Sequence, residues 1–271
     1  GVSPFVIGVT VLAIGTDLPE VANSVWSSAT DRGDINVGDS VGSVITQMTL
    51  VLGLVCFVGR IRGRPRRVLT AGGLIVASLL LGALLVSDEN VSRVDALFLL
   101  VTWGFGTYVM AREGPAPSIR TATDRAIGRG VLELMAGLAV VGGGAMLAVE
   151  SFSRVAEDLG MPEYLASFFL LALGTSLPEL IVSVGAVRRG ETSLALGDIL
   201  GASFADATLS LGSGPLLFPI VVDGEAARGG VVAAVTAAIV IAVLSTSTVH
   251  ERATGFVLLL LYGSLYVSLL T

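Results

Sequence analysis

Apolar residues in this chain run in blocks of about twenty, the length that spans a bilayer core as a helix, separated by short polar segments. Nine spans are read, near residues 4–30, 37–59, 68–87, 92–111, 126–150, 161–187, 193–219, 229–247 and 253–271. The runs do not alternate apolar and polar residues as lipid-facing barrel strands do. Backbone polar groups in lipid must bond within their own segment, so each run is expected to be a helix. The fold class is therefore an all-α polytopic membrane protein. The longest polar stretch holds Pro115 and Pro117, which disfavour helix. It reads as a linker over 112–125 between a first half, 1–111, and a second, 126–271.

Composition agrees. The 271 residues are 53% hydrophobic and only 14% charged, where a soluble domain has about a quarter charged, and the mean hydropathy is +0.86. Cys56 is the sole cysteine and His250 the sole histidine, which excludes an intrachain disulfide and a histidine-based metal cluster. His250 and Glu251 read as ordinary loop residues, and Glu133 as an interfacial charge. Membrane lipid is the expected surroundings, nucleic acid is not an expected partner, and no cofactor is expected.

Charge sets the expected orientation. Every basic residue is arginine. Five fall in Arg60–Arg67, four between Arg112 and Arg129, and three at Arg188, Arg189 and Arg252, all in alternate loops. The remaining loops hold Arg32, Arg93, Arg154 and Arg228 among acids such as Asp88, Glu89 and Asp223. The positive-inside rule places the arginine-rich loops in the cytoplasm and the C-terminus outside.

Inside two of the spans the pattern breaks in the same way. "AIGTDLPE" (Ala13–Glu20) is followed by "GDSVGS" (Gly38–Ser43), and "ALGTSLPE" (Ala172–Glu179) by "GDILGA" (Gly197–Ala202). From Gly15 to Gly38 is 23 positions, and from Gly174 to Gly197 is also 23. Two matched blocks at equal spacing indicate a duplication. The motif spans are the first and the sixth, an odd number of crossings apart, so the repeats are expected to be inverted. That arrangement is typical of secondary transporters, whose ion sites lie near the midplane on interrupted helices. The second half has a span, 126–150, ahead of its motif. A matching helix is therefore expected upstream of Gly1.

The motif chemistry is that of oxygen ligands. Pro19 and Pro178 offer no N–H to the carbonyls of Gly15 and Gly174, which opens each helix. Thr16, Asp17 and Glu20, and likewise Thr175, Ser176 and Glu179, fall within one turn. Carboxylates, hydroxyls and carbonyls suit hard cations such as Ca²⁺ and Na⁺. A charge at the bilayer centre costs at least ~2.5 kcal/mol, so Glu20 and Glu179 need a cation, a proton or a partner. Twenty-seven residues beyond each lie Gln47 and Asp206, symmetric positions just past an expected glycine-rich break. The glycine pairs also read as close-packing positions. Asp39 and Asp198 read as helix N-caps or residues at the water boundary.

These paired motifs resemble the two repeats of the calcium/cation antiporter superfamily, most closely the prokaryotic sodium/calcium exchangers, over nearly the whole chain. The resemblance implies a ten-helix fold with the first helix upstream, working as a monomer, in the cell membrane of a prokaryote. It implies Glu20 and Glu179 as central cation ligands, joined by Gln47 and Asp206. It also implies flanking sodium sites at Ala13, Thr16, Asp17 and Ser43 and at Ala172, Thr175 and Ser176. There are departures: Asp17 stands where serine is usual, Gln47 where asparagine is common, and Ala202 where a serine would pair with Ser43. The expected activity is exchange of Ca²⁺ or a related divalent cation for Na⁺, with H⁺ as the alternative coupling ion. A cation channel, an intramembrane protease built on paired acids, and a purely structural subunit are the rival readings.

Overall fold

The computed structural model describes residues 4–112 and 162–270 and, between them, isolated positions from 140 to 160. Most of the expected linker and of the span 126–150, with Glu133, lies outside the described residues.

The described chain is helical. A bent pair, α1 (Pro4–Thr16) and α2 (Leu18–Ala29), is followed by α3 (Gly33–Val58), α4 (Pro65–Leu85) and α5 (Arg93–Ala111). Then come α6 (Glu163–Arg188), α7 (Thr192–Leu217), α8 (Glu225–Ser245) and α9 (Arg252–Leu270). Six of these are long and apolar enough to cross a bilayer, and the bent pair is a seventh. The ends follow local chemistry. Ser92 and Asp95 form a capping box at the start of α5, satisfying two backbone donors that a helix start leaves bare. A left-handed residue closes α2 at Asp31 (φ 56°) and α6 at Gly190 (φ 81°), 159 positions later. Each turn is tied by the matching bond, Arg32 N to Ser27 O at 2.8 Å and Glu191 N to Ala186 O at 2.9 Å.

Two short antiparallel pairs tie loops together at the ends of the helices. β1 (Ile61–Arg62) joins β4 (Val249–His250), with Ile61 opposite His250. β2 (Asn90–Val91) joins β3 (Ile220–Val221), with Val91 opposite Ile220. The first pair gathers the arginine-rich loops. The second gathers acidic loops, and Asp34 at the start of α3 accepts a bond from Asp223 N there at 2.7 Å. His250, expected to be an ordinary loop residue, is buried by the first pair, and burial holds its imidazole below its ordinary pKa. Glu251 pairs with Arg60 at 2.8 Å.

α3 and α7 are the inner helices, nearly enclosed by the others, while α5 is mostly exposed. Leu97, Phe98, Val101 and Phe105 project from α5, an apolar face suited to lipid rather than water.

The expected break at the glycine blocks does not occur. α3 and α7 run unbroken through Gly38–Ser43 and Gly197–Ala202. The glycines instead let the opposite motif helix lie against the backbone. A Cβ on Gly38 would stand 2.6 Å from Tyr164 O of α6, and one on Gly201 would stand 2.5 Å from Val9 Cα of α1. Gly42 and Gly197 face Phe168 and Phe5 in the same way. Each motif helix is thus seated on the glycine face of the other repeat. Asp39 and Asp198 are consequently neither N-caps nor boundary residues: both are buried inside their helices.

The unwinding is found elsewhere. Among the described residues, four stretches adopt the wide π-type turn: Gly8–Leu12 in α1, Thr46–Val51 in α3, Ser167–Leu171 in α6 and Asp206–Ser210 in α7. Such turns recur at functional sites because they re-aim side chains that a regular helix would hold in register.

Candidate functional site

The site is assembled by two bends and two wide turns. α1 and α2 meet at 42° across Asp17, one residue before the turn that contains Pro19. Ser176 takes the same place before Pro178, with φ −80° and ψ 4°. At each bend an ordinary helical bond runs back to an alanine carbonyl. Asp17 N donates to Ala13 O at 3.0 Å and Ser176 N to Ala172 O at 3.1 Å. The Thr16 and Thr175 hydroxyls share those same carbonyls at 3.2 and 3.3 Å. Gly15 and Gly174, whose carbonyls the prolines leave without a helical donor, are exposed, whereas the acids beside them are enclosed.

All eleven residues expected at the site are buried: Ala13, Thr16, Asp17, Glu20, Ser43, Gln47, Ala172, Thr175, Ser176, Glu179 and Asp206. Carboxylate oxygens of Asp17, Glu20 and Glu179 all lie within 4.8 Å of one another. Asp206 is in electrostatic reach of Asp17 and Glu179. Gln47, in the wide turn of α3, donates from Nε2 to Asp206 Oδ2 across the repeats at 2.8 Å. Ser43 Oγ sits 3.3 Å from Thr175 Oγ1, joining the halves again.

The hydrogen bonds stop short of satisfying this cluster. Among the described residues, both oxygens of Glu20 and of Glu179, one oxygen each of Asp17 and Asp206, and the Ser176 hydroxyl are buried with no hydrogen-bond partner. Buried carboxylates left so are costly unless a cation or proton completes them. Ca²⁺ takes six to eight oxygens at about 2.3–2.6 Å, so two ligands on opposite sides of it stand up to ~5 Å apart. The spacing of the three carboxylates fits that shell.

Several residues of the site were not anticipated. Asp39 and Asp198 hold the motif threonines from behind. Thr175 Oγ1 donates to Asp39 Oδ1 at 3.0 Å, and the Thr16 hydroxyl faces Asp198. Asn23 donates to Asp39 and Ser183 to Asp198. The Ser203 hydroxyl lies 3.0 Å from Gln47 Oε1, and Ser210 donates to Asp17 at 3.2 Å. The paired "GD" dipeptides were the signal for Asp39 and Asp198. Ser203 and Ser210 face Val44 and Val51 in the other copy, so the duplication gave no pointer to them.

The profile of a protein family, the sodium/calcium exchanger protein, matches residues 1–112 and 130–271. The chain belongs to the sodium/calcium exchanger family. Relatives of this exchanger-family chain agree over most of their length. It is 31% identical to the inner membrane protein YrbG of Escherichia coli over 82% of this chain and 72% of that protein. It is 27% identical to the sodium/calcium exchanger MaX1 of Methanosarcina acetivorans over 81% of this chain and 75% of that one. Its fold resembles that of the sodium-calcium exchanger NCX_Mj with a TM-score of 0.73 at 27% identity, covering 99% of this chain and 88% of NCX_Mj. The exchanger family is one of membrane transporters working by antiport of cations, and the apolar helices and buried acids of this member are those of a membrane antiporter.

Proposed function

We propose that this member exchanges Ca²⁺, or a related divalent cation, for Na⁺ across the plasma membrane of a prokaryote by alternating access. The observation that carries the reading is the trio of Asp17, Glu20 and Glu179, five of whose six carboxylate oxygens have no hydrogen-bond partner, gathered from both repeats within the span of one Ca²⁺ shell. In this reading Glu20 and Glu179 are the central ligands, and Asp206 and Gln47 complete the middle of the site. Ala13, Thr16, Asp17 and Ser43 on one side, and Ala172, Thr175 and Ser176 on the other, line flanking sodium positions. Ca²⁺ and Na⁺ compete for the same carboxylates, and that competition is the coupling. An uncompensated cluster of charge opposes passage through an occluded state in lipid, so the switch proceeds only when cations fill it.

Two inverted repeats, about 1–111 and 126–271 with a linker at 112–125, would provide the moving parts. This is supported by where the motif helices start. α1 begins beside Arg67 at the arginine-rich end, whereas α6 begins with Tyr164 against Gly229, near the start of α8 at the acidic end. The arginine-rich end is assigned to the cytoplasm. The site lies within a single chain, which is consistent with a working monomer.

Coupling to H⁺ is the second reading. It is favoured by one specific observation: Asp17 adds a third carboxylate to the cluster, while Ala202 offers no hydroxyl opposite Ser43. Reconstituted vesicles distinguish the two. Ca²⁺ movement under an imposed Na⁺ gradient supports the first reading, and movement under a pH gradient alone supports the second. Absence of Ca²⁺ movement under either gradient would sink both.

A further inference from the structure

At the arginine-rich end a cleft of about 580 Å³ opens between the start of α1, the β1–β4 pair and the first turns of α4 and α7. Its walls carry three guanidinium groups, Arg62, Arg64 and Arg67, with the hydroxyl residues Ser193 and Thr248. Phe5 lines one side, and the Arg67 guanidinium lies over its ring at 5.1 Å from the centroid. The pairing of β1 with β4 sets Arg62 opposite Val249. No acidic side chain is among the described residues lining the cleft. Glu251, next along the chain from β4, is engaged by Arg60, which lies outside the cleft.

We propose that this cleft is a binding site for a phosphate-bearing anion. Guanidinium forks match the geometry of phosphate oxygens and hold them by charge-assisted hydrogen bonds. The two hydroxyls supply further donors to the same oxygens. The volume suits a headgroup-sized molecule rather than a bare ion, and a basic pocket between membrane helices on the cytoplasmic side is a place where anionic headgroups dock. The same chemistry would serve an anionic phospholipid headgroup or a soluble phosphate compound. An occupant would bridge α1, which carries the first motif, to α4 and α7, and so would bear on the position of the motif helix.

The test is a binding measurement on the purified protein in detergent, which needs no transport. The probes are dihexanoyl phosphatidylglycerol, dihexanoyl phosphatidylcholine and inorganic pyrophosphate. Arg62 and Arg64 are both exposed, so R62Q/R64Q should leave the fold intact, and circular dichroism checks that. R66Q/R252Q removes the same charge outside the cleft. The expected result is that either the phosphatidylglycerol or pyrophosphate binds, that R62Q/R64Q weakens it by about tenfold or more, and that R66Q/R252Q changes it by less than about threefold. Phosphatidylglycerol bound in preference to phosphatidylcholine identifies a lipid headgroup, and pyrophosphate identifies a soluble ligand. Failure of every probe to bind, equal binding of the two lipids with no binding of pyrophosphate, or equal weakening by the two double variants would overturn the proposal, because the arginines would then act only as a diffuse positive field.

Discussion

At the scale of single residues, the acids of the site are in conflict with the fold that holds them. Glu179 is fully buried with neither oxygen satisfied, and it shares its space with Asp17 and Glu20. Glu179→Gln removes one charge from a crowded set without changing the volume. The cation-free protein should therefore unfold at a higher temperature than the unaltered chain, while Ca²⁺ transport is lost. In the unaltered chain, Ca²⁺ at about a hundred times its dissociation constant should add about 2.7 kcal/mol of stability, and in the variant that increment should disappear. Thermal unfolding with and without Ca²⁺ reads both effects. A variant less stable than the parent in chelator, yet still stabilised by Ca²⁺, would show that Glu179 is a structural contact. Gln47 behaves differently, because its amide is already occupied by Asp206 and its carbonyl faces Ser203. Ser203→Ala should leave the fold intact and weaken apparent Ca²⁺ affinity by less than about tenfold, the worth of one net hydrogen bond. A loss as large as that of Glu179→Gln in vesicle uptake would mean that Ser203 itself meets the ion.

At the scale of elements, the glycine faces decide how the two halves meet. Gly201 receives Val9 and Ala13 of α1, and Gly42 receives Phe168 of α6, so an added methyl at either position displaces a whole motif helix rather than one side chain. Gly201→Ala should cost about 1–3 kcal/mol, the usual range for overpacking. It should also reduce transport, because in the proposed reading the Ala13 carbonyl lines a flanking sodium position that the shift would disturb. Gly73→Ala in α4 is the control, since its Cβ would meet nothing within 4 Å. A Gly201→Ala protein as stable and active as the Gly73→Ala protein would contradict the seating of α1 on α7. Much of this arrangement was legible beforehand. Apolar length placed the ends of the described spans within a few residues, and the repeat located Glu20, Glu179, Gln47 and Asp206. The wide turns were not legible, because none holds a proline and their polar residues, such as Thr10, Gln47, Thr49, Asp206 and Thr208, are of types that a regular helix also accommodates. The depth of Asp39 and Asp198 was hidden for a related reason: a helix apolar all round gives no sign of which side chains face the partner repeat. Ser203 and Ser210 escaped because their counterparts are valines, so symmetry was silent where the hydrogen bonds of the cluster are asymmetric.

At the scale of the molecule, the two strand pairs divide the loops into an arginine-rich end and an acidic end, and orientation in the membrane can be measured from them. Cys56, the only cysteine in the chain, is buried, so thiol labelling of intact cells starts from a low background. Ser87 precedes β2 at the acidic end and Thr246 follows α8 at the arginine-rich end, and both are exposed. A membrane-impermeant maleimide added to cells should label Ser87→Cys and leave Thr246→Cys untouched until the membrane is opened. The reverse pattern would place the arginine-rich end outside, against the positive-inside rule, and would move the phosphate cleft to the external face. Labelling at both positions in intact cells would mean that the helices between them do not separate the two loops. The segregation of Asn90–Val91 with Ile220–Val221, and of Ile61–Arg62 with Val249–His250, argues against labelling at both positions, because each pairing joins loops from different halves of the chain at one end of the bundle; the arginine bias then favours the first outcome over its reverse. The same orientation has a consequence for transport. It would put the start of α1 in the cytoplasm and the start of α6 outside, so that each motif helix would lead from a different face of the membrane to the same cluster of carboxylates.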